Sequence, residues 1–522
     1  MPNNLNLKIM KRLFKLLPLW LALLIVSACH TPQPTPASFD FIVLQLNDVY
    51  EIAPLEGGKA GGLARVAALR QQLLAENPNT LTVLAGDFMS PSLLANLKMD
   101  NGERIAGLHM IETLNALGLD YATFGNHEFD LSDGVLTQKR FQQCQFQFIC
   151  SNVRKKMPDG ALVPFTQLKD GREVPIPDYL VHTFRDEKGR EFRLGITGVC
   201  LPFSVKDYVG YHPVESELQK AQKALLPISD AQMAITHLDA ADDKVLGEKY
   251  PGFSLFIGGH DHDNMLFKAG NTLVSKADAN AKTVYIHRCS YLPQQKKLLI
   301  QSTLQKIDPT LPNEASTQAV VDKWQNMAIE TMRKNGFEPA TIITRTDTAL
   351  ECKETAVRSR PTNFGQLCTR AFEMAIPGAD VYLLNAGSLR LDDNLLGTIT
   401  QYDILRTFPF GGGISEQVIP GNVLQDILLS GMVKNKTNGG YFQSHSLQED
   451  QGKWLIRGNA IHPTASYKVV STEFLASGKE ANLSVFANYP AATPKSFILP
   501  DGQQVRNDIR NLVIAYLNRS KN

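Results

Sequence analysis

The segment Tyr121-Ala122-Thr123-Phe124-Gly125-Asn126-His127-Glu128-Phe129-Asp130 decides how this chain is read. Its first four residues form a short apolar run that reads as a strand. Gly125 then turns the chain and delivers Asn126, His127, Glu128 and Asp130 together. A parallel α/β sheet gathers its ligand site at the carboxyl ends of its strands, so such a cluster is where chemistry is expected. Taken alone, the window also fits a surface loop with a capping Asn and an exposed His. The decision rests on whether other strand ends carry matching side chains.

They do. The strand expected at 39–46 runs into Asn47-Asp48-Val49-Tyr50, and the one at 81–85 into Gly86-Asp87. The run at 231–236 meets His237, and the run at 253–257 meets Gly258-Gly259-His260-Asp261-His262. Residues 63–76 and 105–117 carry apolar residues at helical spacing between these strands, and 192–199 reads as a further strand. Alternating strands and helices imply a sheet covered on both faces.

Asp, Asn and His without Cys suit hard or borderline divalent ions such as Mn²⁺, Zn²⁺, Fe²⁺ or Mg²⁺. One ion takes about four to six such ligands, and this set is larger. Two ions sharing a carboxylate account for it. Paired metals are the usual device for in-line displacement at phosphorus: they neutralise phosphate oxygens and lower the pKa of a water so that hydroxide attacks near neutral pH.

The rest of the chain sets the context. At 522 residues it exceeds one ordinary domain and is read as two. An apolar share of 43% and a charged share of 20% fit a folded soluble protein. A net charge of +1 lacks the basic surplus of a nucleic-acid binder. Lys8, Lys11, Arg12 and Lys15 precede an apolar run at 16–26, and Ser27-Ala28 supplies a small-residue cleavage site, which together read as an export signal. Val26-Ser27-Ala28-Cys29 resembles a bacterial lipobox, so lipid on Cys29 is the expectation. Removing residues 1–28 deletes four basic residues and no acid, taking the formal charge to about −3. The Pro- and Thr-rich stretch to residue 38 reads as a tether. Six further cysteines have no zinc-like spacing, and buried free thiols are the expectation for most of them.

Residues 318–334 place apolar side chains on one helical face, with Gly336 where a helix should end. This reads as a connecting helix. A second domain follows, with a strand at 380–384, the turns Asn385-Ala386-Gly387-Ser388-Leu389-Arg390 and Phe408-Pro409-Phe410-Gly411-Gly412-Gly413, a helix near 423–432 and a strand at 467–470. A last helix is expected to carry Val505, Ile509, Leu512, Val513, Tyr516 and Leu517.

The segments at Asp48, Asp87, Asn126-His127, His237 and His260–His262 resemble, in this order, the calcineurin-like metallophosphatases. More closely, the chain resembles the exported bacterial 5′-nucleotidase family over nearly everything after the tether. The resemblance implies an α/β fold: a four-layer sandwich of two mixed β-sheets flanked by helices at 39–305, a linker helix at 306–340, and a smaller α+β domain at 341–522. It implies hydrolysis of phosphate esters, nucleoside 5′-monophosphates foremost, by hydroxide activated between two metals. It implies that Asp87 bridges the ions, Asp48 and His262 serve one, and Asn126, His237 and His260 complete the other. His127 is then catalytic, with Asp130 holding its ring in the useful tautomer. Glu128 is assigned a structural role, and Asp261 the orientation of a neighbouring ligand.

In the second domain the resemblance implies that Arg358, Asn385, Gly387 and Arg390 contact substrate and that Phe410 and Phe474 sandwich a base. Residue type alone favours simple core filling for each Phe. The sequence departs from the family at Tyr50, where a His ligand is usual. Water fills that gap, or the ion ionises Tyr50, or that site is weak. Further departures are Glu354 in place of an Arg, Gly412 in place of an Asn, and Ser477-Gly478-Lys479-Glu480 after Phe474. The alternatives are a phosphodiesterase or pyrophosphatase acting on nucleotide sugars or cyclic nucleotides, an enzyme for a sulfur-linked substrate, and a ligand-binding lipoprotein without catalysis. The expected setting is a monomer, lipid-anchored to a bacterial membrane and facing the periplasm, with no nucleic-acid partner.

Overall fold

A computed structural model describes residues 38–202, 206–391 and 393–519. The expected signal peptide, Cys29 and the tether up to residue 37 lie outside the described residues. Among those described, no helix is long and apolar enough to cross a membrane.

Two six-stranded sheets stack face to face in the first half. The first contains β1 (Phe39–Leu46), β2 (Thr80–Leu84), β3 (Tyr121–Ala122) and β4 (Gln147–Phe148), all parallel. The second contains β5 (Tyr179–Arg185), β6 (Glu191–Cys200), β7 (Ala231–His237), β8 (Phe253–Gly258), β9 (Met265–Ala269) and β10 (Thr272–Lys276). Strands β6, β7, β8 and β10 are parallel, while β5 and β9 close the edges antiparallel. The chain then returns to the first sheet as β11 (Thr283–Leu292) and β12 (Lys297–Lys306), antiparallel beside β1. Both sheets are thus mixed.

Side chains alternate across a strand, so each sheet offers one face to the other. Phe41, Val43 and Val83 of the first sheet meet Phe192, Ile196, Met233 and Ile257 of the second in one dry core. Helices α1 (Leu63–Glu76) and α2 (Leu108–Leu117) cover the outer face of the first sheet, and α3 (Val214–Leu225) and α4 (Ala240–Lys249) that of the second. Four layers result, as expected. Helix α2 begins three residues later than its apolar spacing indicates, because Gly107 is left-handed (φ +86°) and cannot join a right-handed helix.

The linker α5 (Ala315–Lys334) is capped by the Glu314 carboxylate, which accepts the Ser316 and Thr317 amides. It lies along α1 and α2. Trp324 is fully buried, and its indole N–H donates to Glu112 at 2.9 Å. Beyond it, a five-stranded sheet built on Val381–Asn385, Ile414–Pro420 and Ser466–Thr472 forms the second domain's centre. Its last helix is shorter than expected. Val505 belongs to a strand paired with Phe497, and the helix starts at Ile509 after Asp508 takes the Arg510 amide at 3.0 Å. Tyr402 Oη donates to Glu51 at 3.1 Å, Lys282 pairs with Asp393 at 2.9 Å, and Lys353 pairs with Asp263 at 2.9 Å, all tying the second domain to the first. The six cysteines among the described residues are free and buried.

Candidate functional site

Strands β1, β2 and β3 of one sheet and β7 and β8 of the other end around a shared cleft. Four side chains there leave on strained backbone: Asp48, Asp87, His260 and His262 have φ of +52°, +56°, +83° and +62°. Non-glycine residues take this region at a cost, and such outliers gather at functional sites. Two glycines let the strand ends approach. A Cβ on Gly125 would overlap Asp87 Oδ1, and one on Gly259 would overlap the Ala85 carbonyl.

Asp48, Asp87 and His237 are buried, with ligand atoms within 4.8 Å of one another. His237 Nε2 lies 3.2 Å from Asp87 Oδ2 and 3.1 Å from Asn126 Oδ1. His262 Nε2 lies 3.4 Å from Asp48 Oδ1. His260 joins differently. Its backbone N–H donates to Asp48 Oδ2 at 2.9 Å, while its ring faces Asp239 at 3.5 Å. Tyr50 is in the middle: its phenol donates to Asp87 Oδ2 at 3.0 Å and meets His262 Nε2 at 3.1 Å. Burial, followed by the Asp87, Asp48 and Glu354 charges, pushes this phenol well above its ordinary range, so it is a neutral donor here.

This donor set fits divalent cations. Asp48 Oδ1 is buried and without a hydrogen bond. His237 Nδ1 meets the Ala85 carbonyl at 2.7 Å, which fixes the tautomer and aims Nε2 into the cage. Burial would lower the His237 pKa, but Asp87 and Asp48 outweigh it and raise it to about 10. Burial would raise both carboxyls, yet His262 and His237 hold Asp48 low, and His237 and His127 hold Asp87 low. The paired carboxylates thus retain positive charge at their centre, which a cation would supply instead.

Next to the cage, the His127 amide donates to Asp87 Oδ1 at 2.8 Å. Its ring Nδ1 lies 2.9 Å from Asp130 Oδ2, which also accepts from Ser90 Oγ at 3.0 Å. This contact fixes the orientation of the ring. Burial lowers the His127 pKa, but the Asp130 and Asp87 charges prevail and raise it. Glu128 points away from the cleft. It accepts the amides of Gly125, Asp87, Phe88 and Met89, pinning the β2 and β3 exits together.

The second domain closes one side. Arg390, Phe410, Ser90 and Asp130 line a cavity of about 940 Å³. The buried Nε of Arg390 and that of Arg358 have no hydrogen-bond partner. Arg358 pairs instead through Nη1 with Glu354 at 2.6 Å. Phe410 and Phe474 are 59% and 46% exposed, unlike core residues. Their loops are neighbours, since Glu473 and Gly413 exchange two hydrogen bonds of 2.9 and 3.0 Å. Asn385 is buried, and its side chain engages Ser388, Thr472 and Glu480. Gly387 packs against the backbone of Gly439.

Sequence reading missed Lys276. It is fully buried at the end of β10, and its ammonium donates to the Leu238 and Gly259 carbonyls at 2.6 and 2.8 Å and pairs with Asp243 and Asp261. It braces both loops that follow His237 and precede His260. A lysine ending an apolar strand carries no motif. Asp239 and Ser90 were missed for the same reason.

Residues 41–264 match the calcineurin-like phosphoesterase family, and residues 342–488 match the 5′-nucleotidase C-terminal domain. The trifunctional nucleotide phosphoesterase protein YfkN of Bacillus subtilis is 23% identical over 503 residues, covering 87% of this chain and 33% of that protein's length. The 5′-nucleotidase of Rattus norvegicus is 24% identical over 461 residues, covering 78% of this chain and 74% of its own. The chain therefore spans about a third of the first relative and about three quarters of the second. Among solved structures, a 5′-nucleotidase precursor from Thermus thermophilus superposes with a TM-score of 0.69 at 21% identity, over 92% of this chain and 97% of its own.

Proposed function

As a member of the 5′-nucleotidase family, with a calcineurin-like phosphoesterase domain ahead of a 5′-nucleotidase C-terminal domain, this chain is an enzyme whose reaction we propose to be hydrolysis of nucleoside 5′-monophosphates to nucleoside and phosphate. The observation that carries the reading is the buried Asp48–Asp87–His237 cluster beside the His127–Asp130 pair.

Asp87 would bridge two divalent ions, Asp48 and His262 would serve one, and Asn126, His237 and His260 the other. When bound, the ions supply positive charge against the phosphate oxygens and acidify water. The chain's own groups do the rest. Tyr50 donates its one phenol proton to Asp87 Oδ2, and its oxygen meets His262 Nε2, so the neutral phenol holds both in place. Asp130 keeps the His127 ring oriented and favours its protonated form, so that Nε2 donates to the departing ester oxygen. Arg390 and Arg358 approach the phosphate from the second domain, where a guanidinium fork suits paired oxygens. Phe410 and Phe474 offer apolar faces to a base, which stacking accepts with little regard to identity. The engagement of Asn385 within its own turn supports a role in shaping that turn. The export-signal pattern and the lipobox-like Val26-Ser27-Ala28-Cys29 support action outside the cytoplasm from a membrane anchor.

The test is turnover. Purified protein with Mn²⁺ or Zn²⁺ is expected to release phosphate from AMP and from 4-nitrophenyl phosphate. Retention of metal without turnover of any nucleotide, nucleotide sugar or chromogenic ester would reduce the protein to a binder.

A further inference from the structure

Glu354 opens a one-turn helix, Glu354–Val357, at the edge of the second domain. Its carboxylate pairs with Arg358 at 2.6 Å. It lines a cavity of about 380 Å³ together with His260 and His262 of the first domain. The preceding residue, Lys353, pairs at 2.9 Å with Asp263, directly after His262. This short helix is therefore fixed against the histidine loop. Burial would raise the Glu354 carboxyl, but Arg358, Arg390, His127 and His262 surround it with opposing charge and hold it low. The carboxylate is ionised where the second domain meets the cage.

From this placement we propose that Glu354 is a specificity-determining residue that sets the charge of the ester this site accepts. The inference rests on the reading that the site hydrolyses phosphate esters. Arg390 lines the cavity beside Asp130, Arg358 brings a second guanidinium, and Glu354 offsets the charge of Arg358. It also holds Arg358 Nη1, which leaves that guanidinium its Nε side to offer a phosphate. A fixed negative charge in a partly desolvated cleft acts on each added ligand charge. A dianionic monoester thus loses much of its electrostatic advantage over a monoanionic diester, and the site accepts both.

The experiment compares 4-nitrophenyl phosphate with methyl 4-nitrophenyl phosphate, which share a leaving group and differ by one charge at about pH 8. The readout is the ratio of their kcat/KM values for the metal-loaded protein. Glu354→Gln is expected to raise the monoester-to-diester ratio by about tenfold. Glu354→Asp keeps the charge and should leave the ratio near that of the natural protein. An unchanged ratio in Glu354→Gln overturns the proposal, as does an equal rise in both variants, which would point to packing. Loss of metal from Glu354→Gln would make the residue a ligand and overturn it too. If the natural protein turns over neither ester, the phosphate-ester reading fails and takes this inference with it.

Discussion

Asp87 engages both carboxylate oxygens inside the first domain, on the His127 amide and on the Tyr50 and His237 side chains. Phe410, across the cleft, leaves 59% of its surface exposed and sits in a loop between a helix and a strand. The cage is built from strand ends locked by two packed sheets, and side chains in and beside it are held by a second group: His237 by Ala85, His127 by Asp130, the His260 loop by Lys276. The substrate face is built from turns and one-turn helices, which tolerate change. Under the proposed function, the chemistry falls to the rigid part and the choice of ester to the adaptable part.

Substitutions that break this division have effects of different size. Asp87→Asn removes the group common to both proposed ions, so activity toward 4-nitrophenyl phosphate should fall by about 10³-fold or more, with metal content falling in elemental analysis. A variant that keeps its metal and its rate would show that the cage is not the reaction centre. His127→Ala should lower kcat by about 10² to 10³-fold while bound metal stays near the natural level, because its ring lies outside the buried triad. Metal loss in that variant would merge the acid with the cage. Phe410→Ala should raise KM for AMP by about tenfold and shift 4-nitrophenyl phosphate by no more than about twofold, since only a base needs the ring. Equal losses on both esters would make Phe410 part of the hydrolytic machinery.

The smallest effect concerns acid stability. His109 and His287 lie in the first domain's interior, and burial lowers each from 6.5 to about 3. The unfolded chain therefore takes up protons that the folded chain refuses. The contribution of these two histidines to stability is fully present above about pH 6.5 and is lost as the pH falls toward 3. His287→Gln should flatten the dependence of Tm on pH by a few degrees near pH 5. A slope unchanged in that variant would remove His287 from the groups that set the acid sensitivity.

Much of the cage was legible because ligands must follow strands in a parallel sheet, and apolar runs ending in Asp or His stand out. Strands β11 and β12 were not, since no ligand marks their ends, and the pairing of β11 with β1, on which β12 then adds, spans more than 200 residues. Helix limits slipped where one residue outweighed the pattern, as Gly107 did through its left-handed backbone and Asp508 through its cap. The roles of Lys276 and Asp239 were hidden because a single Lys or Asp carries no spacing signal.

The order of Asp48, Asp87, Asn126, His127, His237, His260 and His262 along the chain, each after an apolar run, was enough to indicate a sheet-end site of oxygen and nitrogen ligands, because side-chain chemistry and periodicity are local properties. Which way each ring turns was decided only in three dimensions. His237 faces the carboxylates because Ala85 holds its other nitrogen, His260 leans to Asp239, Tyr50 bridges Asp87 and His262, and Glu354 reaches the cage from another domain. Those contacts join residues tens to hundreds of positions apart, and only the packing of the two sheets and the docking of the second domain bring them together.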